Sequence, residues 1–177
     1  MKKPDHNDVI KVAIADDHTL FRAGVKTALS VKKDIELVAE ADNGQQLLHL
    51  LKYTEPDVIL LDIQMPIMDG IQTLPEIRKL YPHVKVIILS MHNDHSMISK
   101  LMEIGANSYL TKNSDSETIY QAIKTCYEQE FFFNELTNKA LLTGLRTKRS
   151  DLGMPQDVNL TEKELTVLKL IDRKSVV

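Results

Sequence analysis

Blocks of apolar and polar residues succeed one another along the first 130 positions. Val58-Ile59-Leu60-Leu61 is an unbroken apolar run, the pattern of a strand buried on both faces inside a parallel sheet. Lys11-Val12-Ala13-Ile14-Ala15, Val84-Lys85-Val86-Ile87-Ile88-Leu89 and the shorter Asn107-Ser108-Tyr109-Leu110 predict three further strands. Ile35 to Ala41 alternates like a strand with one buried face. Between these segments the apolar positions change to helical spacing. Leu20, Phe21, Val25, Ala28 and Leu29 form one stripe, and Leu47, Leu48, Leu50 and Leu51 a second that ends before Pro56. Ile71 to Leu80 is a third, in which Pro75 predicts a kink or a late start. Met97 to Ile104 is a fourth, closed by Gly105 as a C-cap. Ile119, Ala122, Ile123 and Cys126 mark a fifth. A strand followed by a helix, five times over with short connections, implies a parallel sheet covered by helices on both faces.

After Glu130 the rhythm changes. Phe131-Phe132-Phe133 is expected to pack against the preceding domain, since an exposed aromatic cluster promotes aggregation. Leu136, Ala140, Leu141 and Leu145 suit another helix, and Thr147 to Val158 has the basic, then Gly- and Pro-containing composition of a linker. Thr161 and Glu164 fit a capping box, followed by an apolar face of Leu165, Leu168 and Ile171. The expected divisions are a domain over 9–130, a helix and linker over 131–159, and a further segment over 160–177.

Composition narrows the function classes. No apolar run approaches the roughly 20 residues that span a bilayer, so no membrane association is expected. Met1 to Asp8 is polar, unlike a secretory signal. One cysteine, Cys126, excludes an intramolecular disulfide, and the expected location is the cytoplasm. The net charge of −3 conceals an asymmetry: residues 1–136 hold 14 Lys and Arg against 20 Asp and Glu, and residues 137–177 hold 8 against 5. The basic end reads as a solvated linker or as a segment next to a nucleic-acid-binding unit, and charge alone favours the former.

The chemistry gathers at strand ends. Asp16 and Asp17 follow the first strand, Asp62 the third, Ser90 the fourth and Lys112 the fifth. In a parallel sheet these ends point the same way and converge on one crevice. Three ionised carboxylates there repel one another and call for a cation; hard oxygen ligands completed by water suit Mg2+. Taken alone, Asp16-Asp17 suits a helix cap equally well, and Asp62 ahead of Pro66 and Asp69-Gly70 suits a turn.

Together, Asp16-Asp17, Asp62 with Met65-Pro66 and Asp69-Gly70, Ser90, Gly105-Ala106, Tyr109 and Lys112 resemble the receiver domain of bacterial two-component response regulators, over residues 10 to about 128. The resemblance implies a flavodoxin-like, doubly wound α/β fold: a five-stranded parallel sheet of order 2-1-3-4-5, here with a C-terminal helical extension. It implies that Asp62 accepts a phosphoryl group from a phosphohistidine on a sensor histidine kinase. Asp17 would bind Mg2+ directly and Asp16 mainly through water, with Asp62 and the backbone carbonyl of Gln64 completing the protein ligands. Lys112 would pair with the phosphoryl oxygens, Ser90 would swing to hydrogen-bond them, and Tyr109 would turn inward behind it. Gln64 and His92 would flank the water that removes the phosphate. The chain would then be no metabolic enzyme but a switch with at most slow, Mg-dependent autodephosphorylation, expected to form a homodimer on phosphorylation. Such receivers often have Lys-Pro where this chain has Lys112-Asn113, and a trans bond is expected here because a cis bond before a non-proline residue costs about 2.5–4 kcal/mol.

Leu160 to Glu164 with Val167 to Ile171 resembles the opening helix of a LuxR-type helix-turn-helix domain, which with a receiver in front is the plan of NarL/FixJ-class transcriptional regulators. DNA would then be the partner of a longer parent. Because no turn or recognition helix follows before Val177, this chain is not expected to read DNA sequence itself. Three other readings compete. An aspartyl-nucleophile phosphatase wants a second Asp two residues after the nucleophile, where Gln64 stands. An FMN carrier wants a hydroxyl-rich phosphate loop after the first strand, where Asp16-Asp17-His18 would repel phosphate. A stand-alone receiver would act through protein–protein contacts.

Overall fold

A computed structural model describes residues 9–151. Strands and helices alternate as β1 Ile10–Ala15, α1 Thr19–Ser30, β2 Ile35–Ala41, α2 Gly44–Leu50, β3 Val58–Asp62, α3 Gly70–Leu80, β4 Lys85–Ser90, α4 His95–Ile104, β5 Ser108–Thr111, α5 Ser116–Gln129 and α6 Glu135–Asp151. The five strands form one sheet in the order β2-β1-β3-β4-β5, and every neighbouring pair is parallel.

The apolar run of β3 explains its central place. Val58 and Leu60 enter a core shared with α1 and α5, while Ile59 and Leu61 enter a second core shared with α2, α3 and α4. Successive side chains of a strand point to opposite faces, so only a continuous apolar run satisfies both. Each fully buried Leu or Ile contributes about 1.5–3 kcal/mol. Helix starts are capped by side chains: Asn43, Asp94 and Asp115 each accept a backbone N–H of the first turn. Asp69 and Gln72 form a reciprocal capping box at α3.

Four expectations change. Leu20 is 90% exposed. Val25 and Leu29 set the buried face of α1, and five residues earlier the helix has turned about 140° away from it. Of the kink or late start expected at Pro75, the late start does not occur, since α3 begins at Gly70; the proline lies on the exposed side, where water can take the carbonyl it leaves unpaired. Only Phe132 packs on the core, whereas Phe131 and Phe133 stack on each other at 5.7 Å and stay partly exposed. The stretch expected to begin a linker at Thr147 continues α6 as far as Asp151; the rest of that linker and the helix-turn-helix-like segment lie outside the described residues. No peptide bond among the described residues is cis, Lys112-Asn113 included.

Helix α6 packs along α4 and reaches β5. Leu136 and the buried Ala140 join the core beside α4. Gly144 permits the close approach, because a Cβ there would lie 2.2 Å from Ser99 Oγ. At its start Asn134 exchanges hydrogen bonds with Thr137: Asn134 N donates to Thr137 Oγ1 at 2.8 Å, and Thr137 N donates to Asn134 Oδ1 at 2.9 Å.

Candidate functional site

The strand order sets the site. β1 and β3 are neighbours in the sheet, so Asp16, Asp17 and Asp62 emerge side by side, and β5 lies one strand beyond β4 on the same side. Lys112 reaches back across the sheet end. Its ammonium donates to Asp62 Oδ2 at 2.7 Å and lies 2.8 Å from Asp16 Oδ2, with its side chain 5% exposed. Asp16 is fully buried and Asp62 nearly so, while the Asp17 side chain is partly exposed. Backbone amides two residues on hold both buried carboxylates: His18 N donates to Asp16 Oδ1 at 2.7 Å and Gln64 N to Asp62 Oδ1 at 3.2 Å. The Gln64 side chain is exposed.

The loop after β3 is shaped around Asp62. Gly70 N donates to the Ile63 carbonyl at 2.9 Å, and a Cβ on Gly70 would lie 2.2 Å from the Asp62 carbonyl oxygen, so only glycine fits. Ile67 has φ 69°, a left-handed conformation that costs a β-branched residue about 1–3 kcal/mol.

Charge is unbalanced here. Three carboxylates face one ammonium. Burial pushes the Asp62 carboxyl above its ordinary range, Lys112 pulls it back, and the nearby Asp16 charge pushes it up again. Asp16 Oδ2 is buried and receives no well-aligned hydrogen bond even from Lys112. Asp16, Asp17, His18 and Asp62 each offer a ligand atom, all within 4.8 Å of one another. Excess negative charge, an under-satisfied buried oxygen and a mostly oxygen donor set fit a divalent cation.

Ser90 and Tyr109 form a layer beside the carboxylates. Ser90 is buried at the end of β4, and its Oγ accepts from His92 N at 3.1 Å. Tyr109 is fully buried already, and its hydroxyl donates to the His92 carbonyl at 2.8 Å. The Tyr109 carbonyl accepts from Asn134 Nδ2 at 2.9 Å, which ties this layer to the start of α6. Gln64 and His92 line one cleft together with Met65, Asp94 and Met97.

Three further residues complete the surroundings without having been expected. His18 places Nδ1 2.8 Å from Asp17 Oδ1. Phe21 lies beneath Lys112, whose ammonium is 5.1 Å from the ring centroid. Arg22 donates to the Asp16 carbonyl and pairs with Asp42 at 2.7 Å. The available signal was their helical spacing directly after Asp16-Asp17, which puts the first turn of α1 over the strand ends. Among the described residues no helix is long and apolar enough to cross a membrane.

Known proteins with this arrangement are numerous. The chain is 34% identical over 161 residues to the nitrate/nitrite response regulator NarL of Escherichia coli K12, covering 90% of this chain and 74% of that one. It is 37% identical over 124 residues to the transcriptional regulatory protein DegU of Brevibacillus brevis, covering 70% of this chain and about half, 52%, of DegU. Among solved structures, the signal receiver domain of a NarL response regulator from Mycobacterium tuberculosis is 36% identical with a TM-score of 0.65, over 69% of this chain and 98% of that one. A two-component response regulator of the LuxR family from Aurantimonas is 25% identical with a TM-score of 0.72, over 78% of this chain and 99% of that one. With residues 12–124 matching the response regulator receiver domain, and with relatives of the NarL and DegU type, the chain belongs to the receiver domains of two-component response regulators.

Proposed function

We propose that Asp62 is the phosphoacceptor and that the chain is a phosphorylation-driven switch of a transcriptional regulator, with residues 9–130 as the receiver and 131–159 as helix and linker. The observation that carries this reading is the buried Asp62 carboxylate paired at 2.7 Å with Lys112 inside an acidic cluster. An Asp62 oxygen attacks the phosphorus of a phosphohistidine on a sensor histidine kinase. The phosphorus–nitrogen bond breaks, and its electron pair returns to the imidazole. Such transfers depend on positioning and charge neutralisation more than on covalent help.

Asp17 directly, Asp16 mainly through water, Asp62 itself and the Gln64 backbone carbonyl would hold Mg2+. When bound, the ion would supply charge neutralisation for the phosphoryl oxygens, and Lys112, already on Asp62 at 2.7 Å, adds a second positive charge. The new phosphoryl oxygens need donors. Ser90 turns its hydroxyl from the His92 amide to one of them, and Tyr109 senses the move through its bond to the His92 carbonyl. Gln64 and His92, which share a cleft, flank the water that slowly removes the phosphate. The output of this reading is control of transcription by a regulator that dimerises on phosphorylation, and residues 160–177 supply the sequence resemblance to the opening of a helix-turn-helix domain that connects it to DNA.

Intact mass after incubation with acetyl phosphate tests the assignment. One phosphoryl adduct is expected on wild type with Mg2+, and none without the metal or on Asp62→Ala. An adduct on Asp62→Ala formed at the wild-type rate would transfer the role to another residue.

A further inference from the structure

His18 is the one member of the acidic cluster that a phosphoacceptor site does not account for. It sits at the N-cap of α1, yet its side chain makes no capping hydrogen bond, so the ring is not held in place by the helix. Instead Nδ1 points among the carboxylates, 2.8 Å from Asp17 Oδ1, 3.3 Å from Asp16 Oδ1 and 3.8 Å from Asp62 Oδ2. The same nitrogen is 3.2 Å from Lys112 Nζ. A ring nitrogen fills one role at a time. As an N–H it donates to Asp17 and confronts the Lys112 ammonium; as a lone pair it accepts from Lys112 and confronts Asp17. Neither tautomer suits both neighbours. A cation bound here suits the imidazole lone pair and the carboxylate oxygens together, because all are then donors to one centre, and it requires only that the Lys112 ammonium give up its contact with His18.

A second observation points to the same place. Asp16 is fully buried, and its Oδ2 accepts no hydrogen bond although an ammonium stands 2.8 Å away. The His18 backbone amide is fixed on the other oxygen of that carboxylate at 2.7 Å, which anchors the ring's own Cα beside the cluster. The imidazole is therefore positioned by the metal-binding carboxylate itself, with 60% of its side chain open to solvent and free to adjust.

Resting on the cation-binding reading above, we propose that His18 is a direct ligand of that cation and gives the site a preference for borderline ions such as Mn2+ over Mg2+. Mg2+ takes oxygen ligands and gives up water reluctantly. Imidazole nitrogen is a better ligand for first-row transition ions, whose affinities rise from Mn2+ towards Cu2+. One nitrogen in an otherwise oxygen set thus separates the two classes of ion, while Asp16, Asp17 and Asp62 would bind either.

Electron paramagnetic resonance on the metal-stripped full chain tests this. Loss of the free Mn2+ signal measures binding, and Mg2+ competition measures selectivity. Electron spin-echo modulation reports any nitrogen bound to Mn2+. Wild type is expected to show nitrogen modulation that disappears in His18→Ala and persists in His92→Ala. Mn2+ affinity should fall about tenfold or more in His18→Ala, the scale on which ligand-shell changes act, with a smaller change for Mg2+. Labelling histidine with 15N should alter the wild-type modulation, a readout that needs no variant. Mn2+ bound by wild type without nitrogen modulation, or an unchanged preference in His18→Ala, would overturn the role of His18 and leave the carboxylate site standing. Absence of any Mn2+ or Mg2+ binding would overturn the cation site as well.

Discussion

Replacing Asp62 by Asn should stabilise the metal-free protein. The change removes one of three carboxylates whose oxygens lie within 4.8 Å of one another. With an effective dielectric constant of about 20, each carboxylate pair at that distance repels by about 3–4 kcal/mol, and the Lys112 attraction at 2.7 Å returns about 6. Asp17 is partly exposed, so its share is screened and the Coulomb terms come close to cancelling. What remains is the cost of burying an ionised group that is 2% exposed. Burial is also the foremost reason the Asp62 carboxyl titrates above its ordinary 3.8. A gain of about 1–2 kcal/mol is expected for Asp62→Asn at neutral pH, the scale of one unsatisfied buried polar group. The raised folded-state value fixes the pH dependence. The stability due to protonated Asp62 is fully present below its unfolded value and lost as pH rises through the folded one. The gap between variant and wild type should therefore be widest at neutral pH and close as pH falls towards 4. Urea denaturation in chelator at several pH values measures it, and added Mg2+ should narrow or reverse it by stabilising wild type. Equal or lower stability of Asp62→Asn at neutral pH without metal, or a gap indifferent to pH, would refute the electrostatic reasoning.

Most of the fold was legible because the central strands are buried on both faces and read as nearly unbroken apolar runs. Convergence of Asp16, Asp17, Asp62 and Lys112 followed from parallel strands, which deliver all their C-terminal ends to one side. Features that depend on the direction of a single side chain were not legible. Leu20 counts toward an apolar stripe by spacing, yet it faces water, since the stripe is only as wide as the contact α1 makes with the sheet. The spacing of His18 and Phe21 after Asp16-Asp17 puts them in the first turn over the strand ends, but that their side chains enter the site depends on the angle at which α1 leaves β1, which spacing does not encode. Ile67 gives no warning of a positive φ, as β-branched residues are poor candidates for it. The length of α6 was obscured because a polar, basic stretch such as Thr147 to Ser150 suits an exposed helix end and a linker equally.

Three other outcomes are expected. Cys126 should resist thiol reagents in the native state, since burial pushes its thiol up to about 12; reaction with a disulfide reagent as fast as in urea would contradict this. Arg78→Met should cost about 2–4 kcal/mol by urea denaturation, because the half-buried guanidinium donates to the carbonyls of Gly105 and Val84 and to Asn107 Oδ1, and all three bonds are lost, although Asn107 Oδ1 keeps the Val86 amide; a loss under 1 kcal/mol would show that water replaces it. Asn134→Ala should loosen α6 without unfolding the sheet. Asn134 caps the helix through Thr137 N, a contact worth about 1 kcal/mol, and its Nδ2 satisfies the Tyr109 carbonyl, worth about another 1–3 if left buried and unpaired. Both losses fall on the docked helix rather than on the strands, whose ladder does not involve Asn134. A deficit of about 2 kcal/mol corresponds to roughly thirtyfold lower hydrogen-exchange protection. That drop is expected over residues 136–144, with β3 and β4 unchanged. Because Tyr109 is bound at one end to the His92 carbonyl and at the other to Asn134, equal losses in α6 and in β4 would mean that helix and site open as one unit, and unchanged protection in α6 would mean that packing of Ala140 and Gly144 on α4 holds the helix unaided.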